Sequence, residues 1–304
     1  MKRRRVLVTG GTGFVGRFVV ERLITEGHDV VVLGRTPPPH GFFSRPVRFV
    51  AAALEPGTDF VAACRGVDAC VHAAFDHLPG RYRGGEGDNP EVFRRRNEAG
   101  SLALFEAAKR AGVGRAVFLS SRAAYGEDTT GAMLREDTSA GQPPSLYGRT
   151  KLAVENALHD MTSPRFVPVS LRLTGVYGPA GPGRAHKWTG LFTDYLAGKP
   201  IEPRSGTEVH GNDAAEAANL VLNSDAAGVA GKVFNVSDIV VGRRDILEIV
   251  RAATGSTFPL PDRASSSGLG IMATDRLRAL GWHPGGWPLL QMTVEALAMQ
   301  HMRR

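Results

Sequence analysis

The chain has 304 residues, of which 42% are hydrophobic and 22% are charged. This composition is ordinary for a folded globular protein, and the length allows one large core or a main domain with a smaller lobe. No apolar run is long enough to span a bilayer, and the short run at residues 6–8 leads directly into glycines. We therefore expect a cytoplasmic protein with no membrane contact. The two cysteines, Cys64 and Cys70, are expected to be buried free thiols, which suits a reducing compartment.

The net charge of +7 raises the question of nucleic-acid binding. The basic residues follow no single helix or repeat. They form short runs at residues 2–5 and 94–96, and others lie in expected loops, among them Arg81, Arg83 and residues 184–187. Basic loops of this kind suit an anionic cofactor or substrate, so nucleic acid is not the expected partner. The nine histidines are dispersed without ligand spacing, so no metal site is expected.

The amino-terminal segment predicts a dinucleotide site. An apolar strand at residues 6–9 leads into a glycine-rich turn, then into a helix at about residues 17–25 and a second strand at residues 30–33. In this context Gly10 allows a tight turn, Gly13 lets backbone N–H groups approach a pyrophosphate, and Gly16 lets helix and sheet pack closely. The residues expected to bind the cofactor here are Gly10, Thr12, Gly13, Phe14, Val15 and Gly16.

The end of the second strand bears on the choice of cofactor. An acid at this position would accept a hydrogen bond from the adenosine ribose of NAD, but the chain has Gly34 followed by Arg35. A guanidinium can pair with a 2′-phosphate, and no acid is present in this stretch to repel it. The sequence therefore favours NADP over NAD.

Tyr147 and Lys151 are candidate catalytic residues. They lie four residues apart at a segment predicted to be a helix over residues 149–160, so their side chains share one face. A phenol has an unperturbed pKa of about 10, and a neighbouring ammonium lowers it. Such a tyrosine can exchange a proton with an alcohol or carbonyl as hydride moves. By itself this spacing arises often by chance, and its usual interpretation is a solvated helix face.

Strands alternate with helices from residue 6 to about residue 173, which predicts an α/β fold with a Rossmann-type doubly wound parallel sheet. After a Gly/Pro-rich linker at residues 178–182, helices are predicted at residues 189–197, 214–222 and 244–253. We expect a dinucleotide-binding domain at residues 1–177 and a smaller substrate-binding lobe at residues 178–304. Three aromatic residues at helical spacing in that lobe are expected to form its core: Trp188, Phe192 and Tyr195. Residues 78–90 are expected to form a mobile loop near the site.

Further segments are similar to landmarks of one family. They are residues 9–16 with the pattern T-G-x-x-G-x-x-G, residues 68–74, Asn97, residues 118–121 followed by Tyr125-Gly126, and residues 171–179, 209–213 and 234–236. Over nearly its whole length the chain resembles the extended short-chain dehydrogenase/reductase family, in its NAD-dependent epimerase/dehydratase branch. Ser121 lies four residues before the Tyr-Gly pair, so it matches the family's catalytic Ser or Thr and Ser120 does not.

The resemblance implies roles for a small set of residues. Tyr147 is expected to be the general acid/base, and Lys151 to lower its pKa and hold the nicotinamide ribose. Ser121 is expected to hydrogen-bond the reacting oxygen, and Asn97 to help position the lysine through main chain or water. Ala73 and Ala74, at the end of a strand beside the cofactor, are expected to contact it. The resemblance alone also implies a homodimer, formed through the helices around residues 101 and 151, and a lobe interleaved with the main sheet.

The chain departs from the family pattern at several places. Dehydratases carry Asp and Glu after the catalytic Ser or Thr, but here those positions are Arg122 and Ala123, so a dehydratase is not expected. The position of an adenine-binding Asp is Ala53. The arginine that holds the diphosphate in sugar-nucleotide enzymes is replaced at about Gly206, with Arg204 two residues earlier.

The sequence thus predicts an NAD(P)-dependent sugar or sugar-nucleotide epimerase that moves hydride reversibly at a secondary alcohol or ketone carbon. The candidate substrate-binding residues are His77, Arg122, Arg184 and Arg204. An alternative in the same family is an NADPH-dependent carbonyl reductase or sugar dehydrogenase, which Arg35 and the replaced arginine near Gly206 favour. An alternative of another class is a non-catalytic NAD(P)-sensing regulatory protein.

Overall fold

The computed structural model of the chain describes residues 3–77, 87–126, 132–137 and 143–303. The strands are β1 Arg5–Thr9, β2 Asp29–Gly34, β3 Arg48–Ala51, β4 Ala69–His72, β5 Arg115–Ser121, β6 Val167–Leu173, β7 Gly175–Tyr177, β8 Ser205–His210, β9 Val233–Val236 and β10 Ile239–Gly242. The α-helices are α1 Phe14–Thr25, α2 Phe60–Cys64, α3 Pro90–Arg94, α4 Gly100–Arg110, α5 Leu146–Met161, α6 Thr189–Leu196, α7 Gly211–Asn223, α8 Ala226–Val229, α9 Arg243–Thr254, α10 Asp275–Ala279 and α11 Gly286–Met302. A π-helical turn, Arg95–Ala99, precedes α4, and a 3-10 turn, Arg122–Tyr125, follows β5.

The main sheet has seven parallel strands in the order β3-β2-β1-β4-β5-β6-β9. Successive residues of β1 alternate between its two faces. Val6 and Val8 pack in one core with α1 and α7, whereas Leu7 packs in a second core with α2, α4 and α5. Helices therefore cover both faces, and the predicted doubly wound Rossmann-type sheet is confirmed. The strand order reverses between β1 and β4, and in such sheets ligands bind at the carboxyl ends of the strands at that switch point.

A second sheet of three strands, in the order β10-β8-β7, packs with α6, α9 and α11 around a third core. The aromatic residues predicted for this core, Trp188, Phe192 and Tyr195, are all buried in it. The chain crosses between the two sheets more than once, because β9 returns to the main sheet beside β6 after the small sheet has begun. The division at residues 177 and 178 therefore stays a prediction.

Several element bounds differ from those expected. Helix α5 begins at Leu146 instead of residue 149, because the Ser145 side chain accepts a hydrogen bond from the N–H of Gly148 and caps the helix. Helix α11 was not predicted at all. Its first turn is held by two carboxylates distant in sequence: Asp213 accepts from the N–H of Gly285 at 3.1 Å, and Asp238 from that of Gly286 at 2.9 Å.

The expectations for cysteines, loops and membranes can be compared with the structure in part. Cys64 and Cys70 are buried free thiols, as predicted. Residues 78–86 of the expected mobile loop, including Arg81 and Arg83, lie outside the described residues, and α3 begins at the last expected loop position, Pro90. Within the described ranges no helix is long and apolar enough to cross a bilayer, and no three metal-binding side chains gather.

Candidate active site

The glycine-rich turn after β1 is shaped by close backbone contacts. Gly10 has φ +67°, and a Cβ there would lie 2.6 Å from the backbone of Ala74. A Cβ on Gly16 would lie 2.2 Å from the carbonyl oxygen of Gly10. The N–H of Gly10 donates to the carbonyl of Leu33 at 3.1 Å, which ties the turn to the end of β2. The tight turn and the close helix–sheet contact thus occur at the glycines named from sequence.

Gly13 is different, because among the described residues a Cβ there would meet only the carbonyl oxygen of Gly10, at 3.0 Å. Gly13 is also the N-cap of α1, where no side chain caps the helix and no acid lies in the first turn. An uncapped, acid-free helix N-terminus with open space before it fits the pyrophosphate of a dinucleotide. Thr12 precedes this N-cap, and Phe14 and Val15 are the first two residues of α1. Their contact with a cofactor stays a prediction.

A hydrogen-bonded chain runs from the end of β1 into the helical layer. The Thr9 hydroxyl accepts from the N–H of Ala74 at 3.3 Å and lies 2.5 Å from Nδ1 of His72. Nε2 of His72 lies 2.8 Å from the Ser101 hydroxyl. Burial, with a smaller effect of the nearby Lys151 ammonium, lowers the pKa of His72 to about 3, so the ring is neutral. This chain fixes the end of β4, where Ala73 and Ala74 face the glycine turn.

Asn97 lies buried in the π-helical turn and holds the segment that follows β4. Its Oδ1 accepts from the N–H of Asp76 at 2.6 Å, and its Nδ2 donates to the carbonyls of Asp76 at 2.8 Å and Phe93 at 3.0 Å. Asn97 was expected to position Lys151 through main chain or water; the Lys151 ammonium itself donates to the carbonyl of Leu119 at 2.8 Å. A positioning role for Asn97 stays a prediction.

Lys151 is 5% exposed and lies among aromatic rings. Its nitrogen is 4.4 Å from the ring centre of Phe75, 4.6 Å from that of Phe118 and 5.8 Å from that of Tyr147. Burial lowers the pKa of Lys151 to about 7, and the carboxylate of Glu155 one turn further opposes this shift. The amine is therefore close to the point where it loses its charge.

Tyr147 lies in the first turn of α5, half-buried, with its ring edge-on to Phe75 at a centroid distance of 5.0 Å. The next residue, Gly148, packs so closely on the turn after Ser121 that a Cβ would lie 2.3 Å from the carbonyl oxygen of Ala123. The Ser121 hydroxyl accepts from the N–H of Ala123 at 3.2 Å. These contacts gather Ser121, Tyr147 and Lys151 at the carboxyl end of β5.

Ser120 points into a different environment from Ser121. Its hydroxyl donates to the carboxylate of Glu155, which forms a buried ion pair with Arg172 at 2.6 Å. The Arg172 guanidinium lies 4.2 Å from the ring centre of Tyr125. Ser120 is thus part of a buried network behind the site, and the position of Ser121 supports its choice as the candidate catalytic hydroxyl.

The structure brings together two residues that sequence reasoning missed. Phe75 packs on both Tyr147 and Lys151, and Asp76 forms ion pairs with Arg96 at 2.7 Å and with Arg35 at 3.4 Å. Both follow β4 in a segment without a recognisable motif. The sequence could have indicated them by their position alone, because the segment that follows a strand at the switch point faces the ligand crevice.

The four candidate substrate-binding residues lie in different surroundings. Nη1 of Arg122 donates to the carbonyl of Leu269 and, at 3.3 Å, to that of Gly270, so this arginine holds a remote loop. His77 contacts Phe75 at the edge of the site. The other two are exposed: Arg184 lies 5.8 Å from the ring centre of Phe42, and Arg204 precedes β8. Their roles toward a substrate stay predictions.

A partly buried ion pair between Lys187 and Glu208 lies close to this edge of the sheet. Lys187 donates to both carboxylate oxygens of Glu208, and a Cβ on Gly175 would lie 2.6 Å from one atom of each side chain. Gly175 is two residues beyond Leu173, which pairs with Ser121 in the main sheet. The charged pair therefore fills space next to the carboxyl end of β5 that a side chain at position 175 would take.

The parallel sheet, the glycine turn and the residues at the end of β5 define a dinucleotide-dependent enzyme of the short-chain dehydrogenase/reductase type. The sequence profile of the NAD dependent epimerase/dehydratase family matches residues 6–237. The chain therefore belongs to this family, in the extended branch of the short-chain dehydrogenases/reductases, and is an NAD(P)-dependent enzyme.

Individual relatives are consistent with this membership. UDP-glucose 4-epimerase of Corynebacterium glutamicum is 27% identical over 320 residues, covering 97% of this chain and 95% of the relative. The crystal structure of Thermus thermophilus UDP-glucose 4-epimerase in complex with NAD is similar with a TM-score of 0.77 and 28% identity, covering 98% of this chain and 99% of that chain. Mouse sterol-4-alpha-carboxylate 3-dehydrogenase, decarboxylating, is 30% identical over 184 residues, covering 60% of this chain and 48% of the relative.

Proposed function

We propose that this enzyme epimerises a nucleotide-linked sugar by reversible hydride transfer at a secondary alcohol carbon. The observation that supports this most is the grouping of Ser121, Tyr147 and Lys151 at the carboxyl end of β5, beside the switch point and its glycine turn. The similarity to two UDP-glucose 4-epimerases over almost the full length supports the substrate class.

A dinucleotide held at the turn of Gly10, Gly13 and Gly16 would supply reversible hydride transfer at the sugar carbon, with return of hydride to the opposite face giving the epimer. Tyr147 takes the proton of the alcohol in the first half of the reaction and gives it back in the second. Lys151, when charged, lowers the pKa of the phenol and makes both transfers feasible near neutral pH. Ser121 donates a hydrogen bond to the reacting oxygen and keeps it within reach of the phenol.

The choice of dinucleotide depends on two opposing charges. Arg35 favours NADP, as the sequence suggested, whereas the Asp76 carboxylate next to it disfavours a 2′-phosphate. The proposed partner molecule is a nucleotide sugar such as UDP-glucose, and a homodimer is proposed for the assembly. Light scattering of the purified protein tests the assembly.

The decisive experiment incubates the purified protein with UDP-glucose, without added dinucleotide, and follows the C4 epimer by chromatography. Epimer formation supports the proposal, and a product that appears only with stoichiometric consumption of added NADPH contradicts it. Tyr147→Phe is expected to lose orders of magnitude in kcat while dinucleotide binding persists. Tyr177→Phe is the matched control, because its buried hydroxyl has no hydrogen-bond partner among the described residues.

Two other functions are tested by the same variants. A sugar dehydrogenase or carbonyl reductase is favoured by the similarity to the mouse dehydrogenase, which covers 60% of the chain. Such an enzyme releases the altered dinucleotide at each turnover, so reduced or oxidised cofactor accumulates with product. A regulatory dinucleotide sensor predicts no turnover and no difference between wild type and Tyr147→Phe.

A further inference from the structure

Arg35 and Asp76 meet above the glycine turn although 41 positions separate them in the sequence. Arg35 is the first residue after β2, and the end of β2 is attached to the turn through the hydrogen bond from Gly10 to Leu33. Asp76 lies two residues beyond Ala74, whose backbone packs against Gly10. The two side chains therefore reach the same point from the two strands that flank the turn.

The Asp76 carboxylate is held in place on several sides. Asn97 binds both the N–H and the carbonyl of Asp76, at 2.6 and 2.8 Å, which fixes its backbone. Nη1 of Arg96 binds Oδ2 at 2.7 Å, which fixes the side chain. Oδ1 is left toward Arg35, whose Nη1 lies 3.4 Å away. A phosphate that binds Arg35 would therefore lie next to a carboxylate that is fixed in place.

In Rossmann-type sheets the end of the second strand is where the 2′ substituent of the adenosine ribose is recognised. We propose that Asp76 supplies the acid that β2 lacks and makes the enzyme specific for NAD over NADP. Its Oδ1, which faces Arg35, accepts a hydrogen bond from a 2′-hydroxyl and repels a 2′-phosphate. This inference rests on the proposed function, since it concerns the dinucleotide of the same site, and it reverses the preference suggested by Arg35 alone.

The balance of charges around Asp76 supports this choice. The Arg35 side chain is 76% exposed, so solvent screens its attraction for a phosphate, whereas the Asp76 side chain is 29% exposed. Arg96 is shared between Asp76 and Glu55, at 2.7 and 2.9 Å. Both arginines that contact Asp76 are thus already ion-paired, and a phosphate would have to compete with a fixed carboxylate for them.

The test measures dinucleotide affinity directly, by isothermal titration of the full chain with NAD and with NADP in the absence of substrate. The wild type is expected to bind NAD at least roughly tenfold more tightly, because juxtaposed like charges are strongly unfavourable. Asp76→Asn keeps the size and the backbone contacts but removes the charge, so NADP binding should tighten by roughly tenfold while NAD binding changes little. Asp194→Asn, the same change at a surface ion pair of α6, is the control and should alter neither affinity.

Arg35→Ala in the Asp76→Asn background should abolish the gain in affinity for NADP. In Asp76→Asn alone the Arg35 guanidinium is released from its ion pair and binds the phosphate, and the second substitution removes it. The inference is overturned if the wild type binds NADP as tightly as NAD, or if Asp76→Asn weakens both dinucleotides equally. If a variant fails to fold, as judged by circular dichroism, the wild-type ratio still decides. Failure to bind either dinucleotide overturns both this inference and the proposed function, whereas binding without preference overturns the inference alone.

Discussion

The ammonium nitrogen of Lys151 lies 4.4 Å from the centre of the Phe75 ring. With Phe118 on another side and the Leu119 carbonyl as hydrogen-bond acceptor, the amine is enclosed by groups that stabilise a cation. Burial nevertheless lowers its pKa to about 7. The group expected to acidify Tyr147 is therefore sensitive to small changes in its own surroundings.

Phe75→Leu should shift the pH dependence of activity. Lys151 is charged below its pKa, so an activity that needs the ammonium falls as pH rises through about 7. Loss of the ring removes roughly 1 kcal/mol of cation–π stabilisation and should move that decline to lower pH by somewhat under one unit. The measurement is kcat/KM against pH. Phe258→Leu, at a lobe residue that is 41% exposed, should leave the profile unchanged, and an unshifted profile in Phe75→Leu would contradict the role of the ring.

Gly148→Ala should displace the start of α5 and with it Tyr147. The added methyl would lie 2.3 Å from the carbonyl oxygen of Ala123, which helix and turn cannot both accommodate. We expect kcat to fall by at least roughly tenfold, with a loss of stability of about 1–3 kcal/mol from overpacking. Gly190→Ala in α6 is the control, since no atom of the described residues outside its own helix backbone lies within 4 Å of the added Cβ, and it should stabilise by up to about 1 kcal/mol. Equal effects of the two variants would argue against the close approach.

Gly13→Ala and Gly16→Ala should separate dinucleotide binding from folding. At Gly13 the added methyl meets only the Gly10 carbonyl oxygen at 3.0 Å, so the protein should fold but lose affinity for NAD, because the methyl takes the space before the helix N-terminus. At Gly16 the distance to the same oxygen is 2.2 Å, so the protein itself should be destabilised. Titration with NAD and urea denaturation give the two readouts. Unchanged NAD affinity in Gly13→Ala would place the pyrophosphate elsewhere.

Glu155→Gln should destabilise the fold by about 3 kcal/mol, because it leaves the buried guanidinium of Arg172 without its counter-charge. The same change removes the carboxylate that raises the pKa of Lys151, so the high-pH decline in activity should also begin at lower pH. Glu248→Gln, at a half-exposed ion pair with Arg244, should change stability by no more than about 1 kcal/mol. Urea denaturation measures the loss of stability in both variants. Similar losses in the two variants would mean that the buried pair adds no more than a surface pair.

Sequence reasoning located the parts of the fold that have local signals. The glycines of the first turn were recognisable because each fills a steric requirement within seven residues of chain, from Gly10 to Gly16. The lobe aromatics Trp188, Phe192 and Tyr195 were recognisable by helical spacing. Tyr147 and Lys151 were recognisable as a pair for the same reason, and the structure adds the rings around the lysine.

The remaining features depend on contacts between segments that are distant in the sequence, so no local sequence pattern predicts them. Asp76 approaches Arg35 only when β2 and β4 are placed on either side of β1. The start of α11 is stabilised by Asp213 and Asp238, which lie far from it in the sequence. No capping residue near Gly286 therefore predicted this helix. Arg122 was a candidate substrate-binding residue, yet its guanidinium donates to the carbonyls of Leu269 and Gly270, 147 and 148 positions away.

The helical stretch around Asn97 contains one wider turn, in which the N–H of Gly100 bonds to the carbonyl of Arg95 five residues back. Each residue of a regular helix turns the chain by about 100°, so one extra residue rotates everything that follows. If Asn97 and Ser101 were copied onto a straight helix in a designed scaffold, they would no longer face Asp76 and His72 together. An engineer who wishes to transplant this dinucleotide crevice must therefore move α3, the π-turn and α4 as one piece.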